Sequence, residues 1–160
     1  MNEVEQEQIY EFRPTQRILS FNTVTHTFQQ LSMKLKVPRE GHNCALIPGT
    51  KDIMVVGDTN STECEIISTN LGKVSSIKAQ LNTPRVGHGI GLLNIDNRPS
   101  LVVFGGLMNI PESKRMFDLF DDVEAFCESD TDRGQWKTTS IKLNQPMEEF
   151  AYLNLESRQT

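Results

Sequence analysis

A five-residue motif that occurs twice constrains the fold of this chain more than any other feature. Pro-Arg-x-Gly-His stands at 38–42 and again at 84–88, which places the two copies 46 residues apart. Each copy is followed by a short apolar run, a polar turn, and a β-branched strand that ends on glycine, at Gly57 or at Gly105-Gly106. Because a repeat of this length corresponds to one supersecondary unit, we expect the two copies to fold alike and to stack against each other.

A second spacing, counted backward from three prolines, predicts the remaining strands of the unit. Ten residues before a proline stand three apolar side chains in polar surroundings, Phe28, Val74 and Trp136. Seven residues before the first two of them lie Phe21 and Ile67, while the apolar run before Trp136 ends ten residues earlier. The third hairpin therefore has a loop three residues longer. Each spacing predicts a pair of short strands, so the full unit has four strands and the chain is expected to be all-β.

Composition narrows the class of protein. The 160 residues are 37% hydrophobic and 23% charged, which is typical of a globular chain. The net charge of −5 and the absence of a basic stripe argue against nucleic-acid binding. No apolar run reaches the length of a membrane helix, and the acidic first residues do not resemble a signal peptide. Three widely spaced cysteines suit reduced thiols, so we expect a cytoplasmic protein.

The combined motifs resemble the kelch repeat. They are Arg-x-Gly-His, then Val-Val-Phe-Gly-Gly at 102–106, Asp-Asp-Val-Glu-Ala-Phe at 121–126, and Trp136 followed by a proline. Residues 20–31 are also similar to the outer hairpin of such a repeat, and the likeness covers roughly residues 16 to 155. It implies a partial kelch-like β-propeller of four-stranded antiparallel blades, about two full blades plus flanking strands.

Three positions depart from the kelch pattern. The first blade has Gly57-Asp58 in place of a double glycine and Val74 in place of an aromatic residue. The segment 146–150 keeps only the proline of the motif. The predicted organisation has a polar tail at 1–15, a propeller segment at 16–155 and a tail at 156–160. The propeller segment contains outer strands at 17–33, blades at 38–83 and 84–145, and a possible inner strand at 149–155. Closed propellers have about four to eight blades, so the chain is expected either to belong to a longer propeller or to complete a ring by association, and we favour the former.

An insertion in the second unit is the first candidate for binding. The first unit has 17 residues from Gly57 to Val74 and the second has 31 from Gly105 to Trp136, with most of the excess in 107–121. Loops carry binding more often than strands do. The candidate partner-binding residues are Lys114, Arg115, Met116, Phe117, Leu119 and Phe120. The alternative is that Phe117 and Phe120 pack a short helical turn onto the blade edge.

The residues that recur in both units are expected to be structural. Arg39 and Arg85 are predicted to tie neighbouring strands, and the alternative is that they line the ring mouth and meet an acidic partner. His42 and His88 occupy equivalent positions, which favours a role in each blade over a shared metal site. The predicted structural residues are Arg39, Gly41, His42, Gly57, Arg85, Gly87, His88, Gly105, Gly106 and Trp136.

The function that these features favour is a protein–protein interaction module. Kelch-like propellers often serve as scaffolds or recruit substrates, so the implied partner is a protein, with self-association or further kelch blades as a second option. No catalytic residue, metal or cofactor is predicted, and neither nucleic acid nor membrane is an expected partner. Two alternatives are a fragment of a propeller-type enzyme and a truncated, divergent copy without independent function.

Overall fold

Every regular element in the described part of the chain is a β-strand. The computed structural model describes residues 14–109, 117–127 and 134–148. The strands are β1 (Thr15–Asn22), β2 (Thr27–Arg39), β3 (Asn43–Leu46), β4 (Asp52–Val56), β5 (Glu63–Ser68), β6 (Lys73–Gln80), β7 (Gly89–Ile95), β8 (Arg98–Phe104), β9 (Leu107–Asn109), β10 (Phe117–Leu119), β11 (Asp122–Cys127) and β12 (Gln135–Lys142). The predicted all-β class is confirmed.

The strands form four antiparallel sheets. Strands β1 and β2 make the amino-terminal hairpin, and β3-β4-β5-β6 make the first sheet in chain order. The second sheet has the order β12-β11-β8-β7, and the short insertion hairpin β9–β10 interrupts it between β8 and β11. The described sheets therefore contain two to four strands, and none of them closes on itself.

Turn chemistry explains where the strands reverse. In the second sheet, Ile95 pairs with Arg98, so only Asp96 and Asn97 connect β7 to β8. Both residues have positive φ values, 51° and 60°. A two-residue turn with positive φ at both positions matches the twist of the flanking strands, and Asp and Asn tolerate that conformation better than most residues.

Alternating side chains on β4 stack the sheets in a fixed order. Met54 and Val56 are buried in a core shared with Leu101 and Trp136 of the second sheet. Between them, Val55 belongs to a different core, which includes Leu35 of the amino-terminal hairpin. Because successive side chains of a strand point to opposite faces, the first sheet lies between the hairpin and the second sheet.

Three cross-strand pairs occupy equivalent places in the three hairpins. They are Phe21–Phe28, Ile67–Val74 and Phe126–Trp136. These are the residues that the spacing before each proline singled out. The pair in the second sheet is buried against the first sheet, and the pair in the first sheet is buried against the hairpin. Each of these two pairs therefore faces the layer that precedes it in the chain.

Some predicted segments lie outside the described residues. The inner strand at 149–155, the tail at 156–160 and nearly all of the tail at 1–15 belong to this group. Within the described residues, no helix is long and apolar enough to cross a membrane.

Candidate functional site

Arg39 joins the amino-terminal hairpin to the first sheet. Its side chain is buried, with 1% of the residue exposed. Its Nε lies 3.0 Å from Oε1 of Glu65 on β5, and its Nη1 donates to the Gly57 carbonyl at 3.1 Å. Glu65 also accepts a 2.6 Å hydrogen bond from the Lys36 backbone. Charge-assisted hydrogen bonds of this kind are stronger than neutral ones, so they fix the end of β2 against β5.

Arg85 joins the first sheet to the second in the same way. Its Nη2 lies 2.7 Å from Oε1 of Glu124 on β11, and its Nη1 donates to the Gly105 carbonyl at 2.9 Å. Glu124 accepts a 2.8 Å hydrogen bond from the backbone of Asn82. Lys36 and Asn82 each stand three residues before the motif arginine, so the two arrangements are equivalent. Both repeated arginines tie neighbouring strands, and burial keeps both from meeting a partner.

Sequence reasoning missed the two glutamates. Each lies inside an apolar third strand, between Cys64 and Ile66 or between Val123 and Ala125, and the other acidic residue of that strand stands at its first position. A charged residue in such a strand is buried only if it is paired. The equivalent placement of one glutamate in each unit was therefore the signal that could have identified both as partners of the arginines. Burial raises the pKa of Glu124, while the Asn82 N–H and Arg85 act in the opposite direction.

The two repeated histidines have different surroundings. His42 is exposed, whereas His88 is buried and only 2% exposed. The His88 ring lies against Gly57, and the Cβ and backbone of His88 lie against Gly106, so a Cβ on either glycine would overlap this residue. Neither ring nitrogen of His88 has a hydrogen-bond partner in the described part of the chain. Burial and, as the second cause, the positive charge of Arg85 together lower the pKa of His88 to about 4. The described residues contain no group of three or more metal-ligating side chains.

The root of the insertion hairpin is fixed by backbone hydrogen bonds. Val86 and Leu107 exchange two of them, each 3.0 Å long. The Phe120 N–H donates to the Gly106 carbonyl at 2.9 Å, and the Gly106 N–H donates to the Met147 carbonyl at 2.8 Å. The repeat motif, the insertion and the segment after β12 therefore meet at Gly106.

Arg85 also holds the insertion through side chains. Its guanidinium lies 4.7 Å from the centre of the Phe120 ring, within the range of a cation–π interaction. It forms a second ion pair with Asp122, at 2.9 Å from Nη1 to Oδ1. Arg39 has no described equivalent of these two contacts in the first sheet. Arg85 thus positions the start of β11 and the end of the insertion together.

The insertion exposes an apolar and acidic surface. Phe117 and Leu119 are 47% and 40% exposed, and they lie on the same side of β10 because they are two residues apart. Asp118 between them is exposed, as are Met147 and Glu148 beside the hairpin root. We call these five residues the insertion surface.

The structure describes part of the predicted binding segment. Phe117 and Leu119 contribute to the insertion surface, and Phe120 is half-buried beneath it against Arg85. The helical-turn alternative is wrong for Phe117, because it pairs with β9 in a strand. The other three candidates lie outside the described residues, namely Lys114, Arg115 and Met116.

A cleft of about 670 Å³ lies elsewhere, between the turns at Pro48-Gly49 and at 95–99. Its lining residues include Asp96, Arg98, Ser100 and Phe126. Neither a protein-family model nor a curated protein sequence matches the chain.

Proposed function

We propose that this chain is a protein–protein interaction module, a kelch-like β-propeller segment in which each four-stranded sheet is one blade. Three features support the blade interpretation. Both sheets are antiparallel meanders of four strands, they stack in chain order, and equivalent Arg–Glu pairs join each layer to the next. Such repetition is typical of propellers, whose blades vary in their loops and keep their frame.

The observation that carries the binding function is the exposure of Phe117 and Leu119 on an anchored hairpin. Large apolar side chains at the centre of an interface supply much of its binding energy. The root of the hairpin is already ordered by the contacts of Val86, Gly106 and Arg85. A preformed root lowers the entropy lost on association, so the insertion surface is suited to binding without folding first.

The charge of the surface defines the partner that fits it. The two charged members of the insertion surface are both acidic and exposed. They are Asp118, which stands between Phe117 and Leu119 on β10, and Glu148, which follows Met147 in the chain. A partner that presents apolar side chains together with Lys or Arg is complementary to this surface, and the charges would steer its approach.

Partner capture with the full chain tests the proposal. A photo-crosslinking residue at Asp118 identifies bound proteins, and the affinity of each purified candidate is then measured by calorimetry. The double variant Phe117→Ser/Leu119→Ser is expected to weaken that affinity at least about tenfold, because truncating two interface anchors removes buried apolar contact.

The matched control is Leu71→Ser, which removes an apolar side chain that is 69% exposed on the turn between β5 and β6. It is expected to leave binding unchanged. Equal affinity of the wild type and the double variant, with unchanged melting curves, would place the binding site elsewhere.

A further inference from the structure

The outer face of the amino-terminal hairpin combines apolar and basic side chains. On β1 the side chains of Arg17, Leu19 and Phe21 share one face because they alternate along the strand. Their cross-strand partners are Lys34, Gln30 and Phe28. Phe21 and Phe28 are 48% and 72% exposed, and their ring centroids are 4.8 Å apart. The face is therefore apolar towards the turn and basic towards the start of β1.

Among the described residues, no layer precedes this face. In the first sheet the pair Ile67–Val74 is buried against the hairpin, and in the second sheet Phe126–Trp136 is buried against the first sheet. The equivalent pair of the hairpin is Phe21–Phe28, and it is exposed. The hairpin therefore exposes, in the described part of the chain, a surface of the kind that the two four-stranded sheets bury.

Charge restricts what can cover this face. Residues 14–39 contain no acidic side chain, and their exposed basic side chains are Arg17, Lys34 and Lys36. Arg17 lies directly opposite Lys34, an arrangement that is unfavourable unless carboxylates lie nearby. The complementary partner has exposed apolar groups flanked by acidic ones.

The insertion surface of the same chain has that chemistry. It combines the exposed apolar side chains of Phe117, Leu119 and Met147 with the exposed acidic side chains of Asp118 and Glu148. Within one molecule, the first sheet separates the hairpin from the second sheet, because its two faces pack on those two layers. A contact between the two surfaces therefore requires two molecules.

We infer that the outer face of the amino-terminal hairpin binds the insertion surface of a second copy of this chain. The inference rests on the proposed function, since it assigns an occupant to the same surface. The contact is head-to-tail, because the two copies contribute different surfaces, and such contacts build rings where the rotation closes and open chains where it does not.

Solution mass is the first test. Light scattering of the full chain is expected to show a mass that rises with protein concentration and falls in about 0.5 M salt, because salt screens exposed charges. Lys34→Glu is expected to weaken association about tenfold by placing an acid opposite the acidic surface. Lys51→Glu makes the same charge change on the exposed turn after β3 and is expected to leave the mass unchanged.

Mixing two variants tests the head-to-tail geometry. Phe28→Ser removes the hairpin anchor and Leu119→Ser removes an insertion anchor, so each variant alone is expected to be monomeric. Each retains the surface that the other lacks, so an equimolar mixture is expected to form one-to-one dimers and no larger species. Both positions are exposed, and an unchanged melting curve verifies that each variant folds.

Three outcomes would overturn the inference. The first is a chain that stays monomeric up to about 0.5 mM, which is roughly the dissociation constant of a weak contact. The second is association that Phe28→Ser leaves intact, and the third is a mixture of the two variants that stays monomeric. Binding of the wild-type chain, but not of Phe28→Ser, to vesicles containing anionic phospholipid in the absence of self-association would assign the hairpin face to a membrane surface instead. A monomeric chain that still binds another protein through Phe117 and Leu119 would overturn this inference and leave the proposed function standing.

Discussion

The two motif arginines differ in how many partners they hold. Arg39 has one carboxylate, Glu65, and one backbone carbonyl. Arg85 has the equivalent glutamate and carbonyl, and in addition Asp122 and the ring of Phe120. One nitrogen of each guanidinium lacks a partner among the described residues, Nη2 of Arg39 and Nε of Arg85. The same motif thus supports a plain sheet in one unit and a sheet with an insertion in the other.

This difference shows how an insertion is attached to a repeat without disturbing it. Each arginine keeps a glutamate and a glycine carbonyl as partners, although Arg39 binds its glutamate through Nε and Arg85 through Nη2. The two glycines at 105–106 replace Gly57-Asp58. Gly106 has a φ of 88° and lies so close to the Val86 carbonyl and to His88 that a Cβ would overlap them. Only glycine fits where the insertion leaves the sheet.

The largest expected effect comes from comparing the buried pair Phe126–Trp136 of the second sheet with the equivalent pair Ile67–Val74 of the first sheet. Trp136→Ala should lower the free energy of unfolding by about 3–5 kcal/mol, because Trp136 is buried in the core between the sheets. Val74→Ala, at the equivalent place in the first sheet, removes far less volume and should cost about 1–2 kcal/mol. Denaturant unfolding of both variants measures the difference. A loss below about 1 kcal/mol for Trp136→Ala would contradict its burial.

Replacing each glutamate by glutamine should have different effects on the free energy of unfolding, because the two arginines differ in their remaining partners. Glu65→Gln should cost about 3 kcal/mol, because it leaves Arg39 buried without a carboxylate. Glu124→Gln should cost about 1–2 kcal/mol, because Asp122 still pairs with Arg85. The readout is the midpoint and slope of urea unfolding. If the two variants lose equal stability, Asp122 does not compensate for Glu124.

Burial lowers the pKa of both repeated histidines, and the shift is large only for His88. The pKa of His88 is about 4 in the folded chain, below its ordinary value of about 6.5. The folded state therefore binds the proton less tightly than the unfolded state. Stability is full above about pH 6.5 and is lost as the pH falls towards 4, with a loss of about 1 kcal/mol by pH 5.5. The raised pKa of Glu124 acts in the opposite direction, because its folded form holds the proton more tightly.

A variant isolates the histidine contribution. His88→Gln should remove the decline between pH 6.5 and about 4 that is due to this ring, whatever its effect on stability at neutral pH. His42→Gln, at the exposed equivalent position, should leave most of the decline in place. Thermal unfolding across this range measures both. A decline that persists unchanged in His88→Gln would assign it to another group.

The smallest expected effect on stability comes from removing the ion pair between Arg85 and Asp122, which has no described equivalent in the first unit. Asp122→Asn should cost about 0.5–1 kcal/mol, because the Asp122 side chain is partly exposed and Glu124 still neutralises Arg85. The variant also provides a sensitive comparison with Glu124→Gln in the same unfolding assay. A cost as large as that of Glu124→Gln would show that both carboxylates are needed to bury Arg85.

The sequence was sufficient to predict the local pairings. Ten- and seven-residue spacings identified Phe21, Phe28, Ile67 and Val74 as hairpin residues, because strand pairs joined by short turns depend on nearby residues. The end of β2 was predicted near residue 33, yet the strand continues to Arg39. Residues 36 and 37 donate their backbone N–H groups to Glu65, a side chain that no local pattern connects to them.

The insertion surface could not be predicted in detail for the same reason. Strands β9 and β10 are three residues long, too short for a periodic pattern to show. Their position depends on backbone hydrogen bonds from Val86, which lies in the motif, and from Met147, which lies beyond β12. Contacts between residues far apart in sequence decide this part of the structure.

The separation of the ion-pair partners also determines the order in which the chain can assemble during synthesis. Arg39 precedes Glu65 by 26 residues, and Arg85 precedes Glu124 by 39. At ribosomal rates of about 5–20 residues per second, each arginine waits roughly 1–8 s for its carboxylate. Until its carboxylate has been synthesised, each arginine remains hydrated, and the layer that precedes it has no ion pair to the next layer. The nascent chain therefore closes from its amino terminus one layer at a time, and the insertion prolongs the second wait.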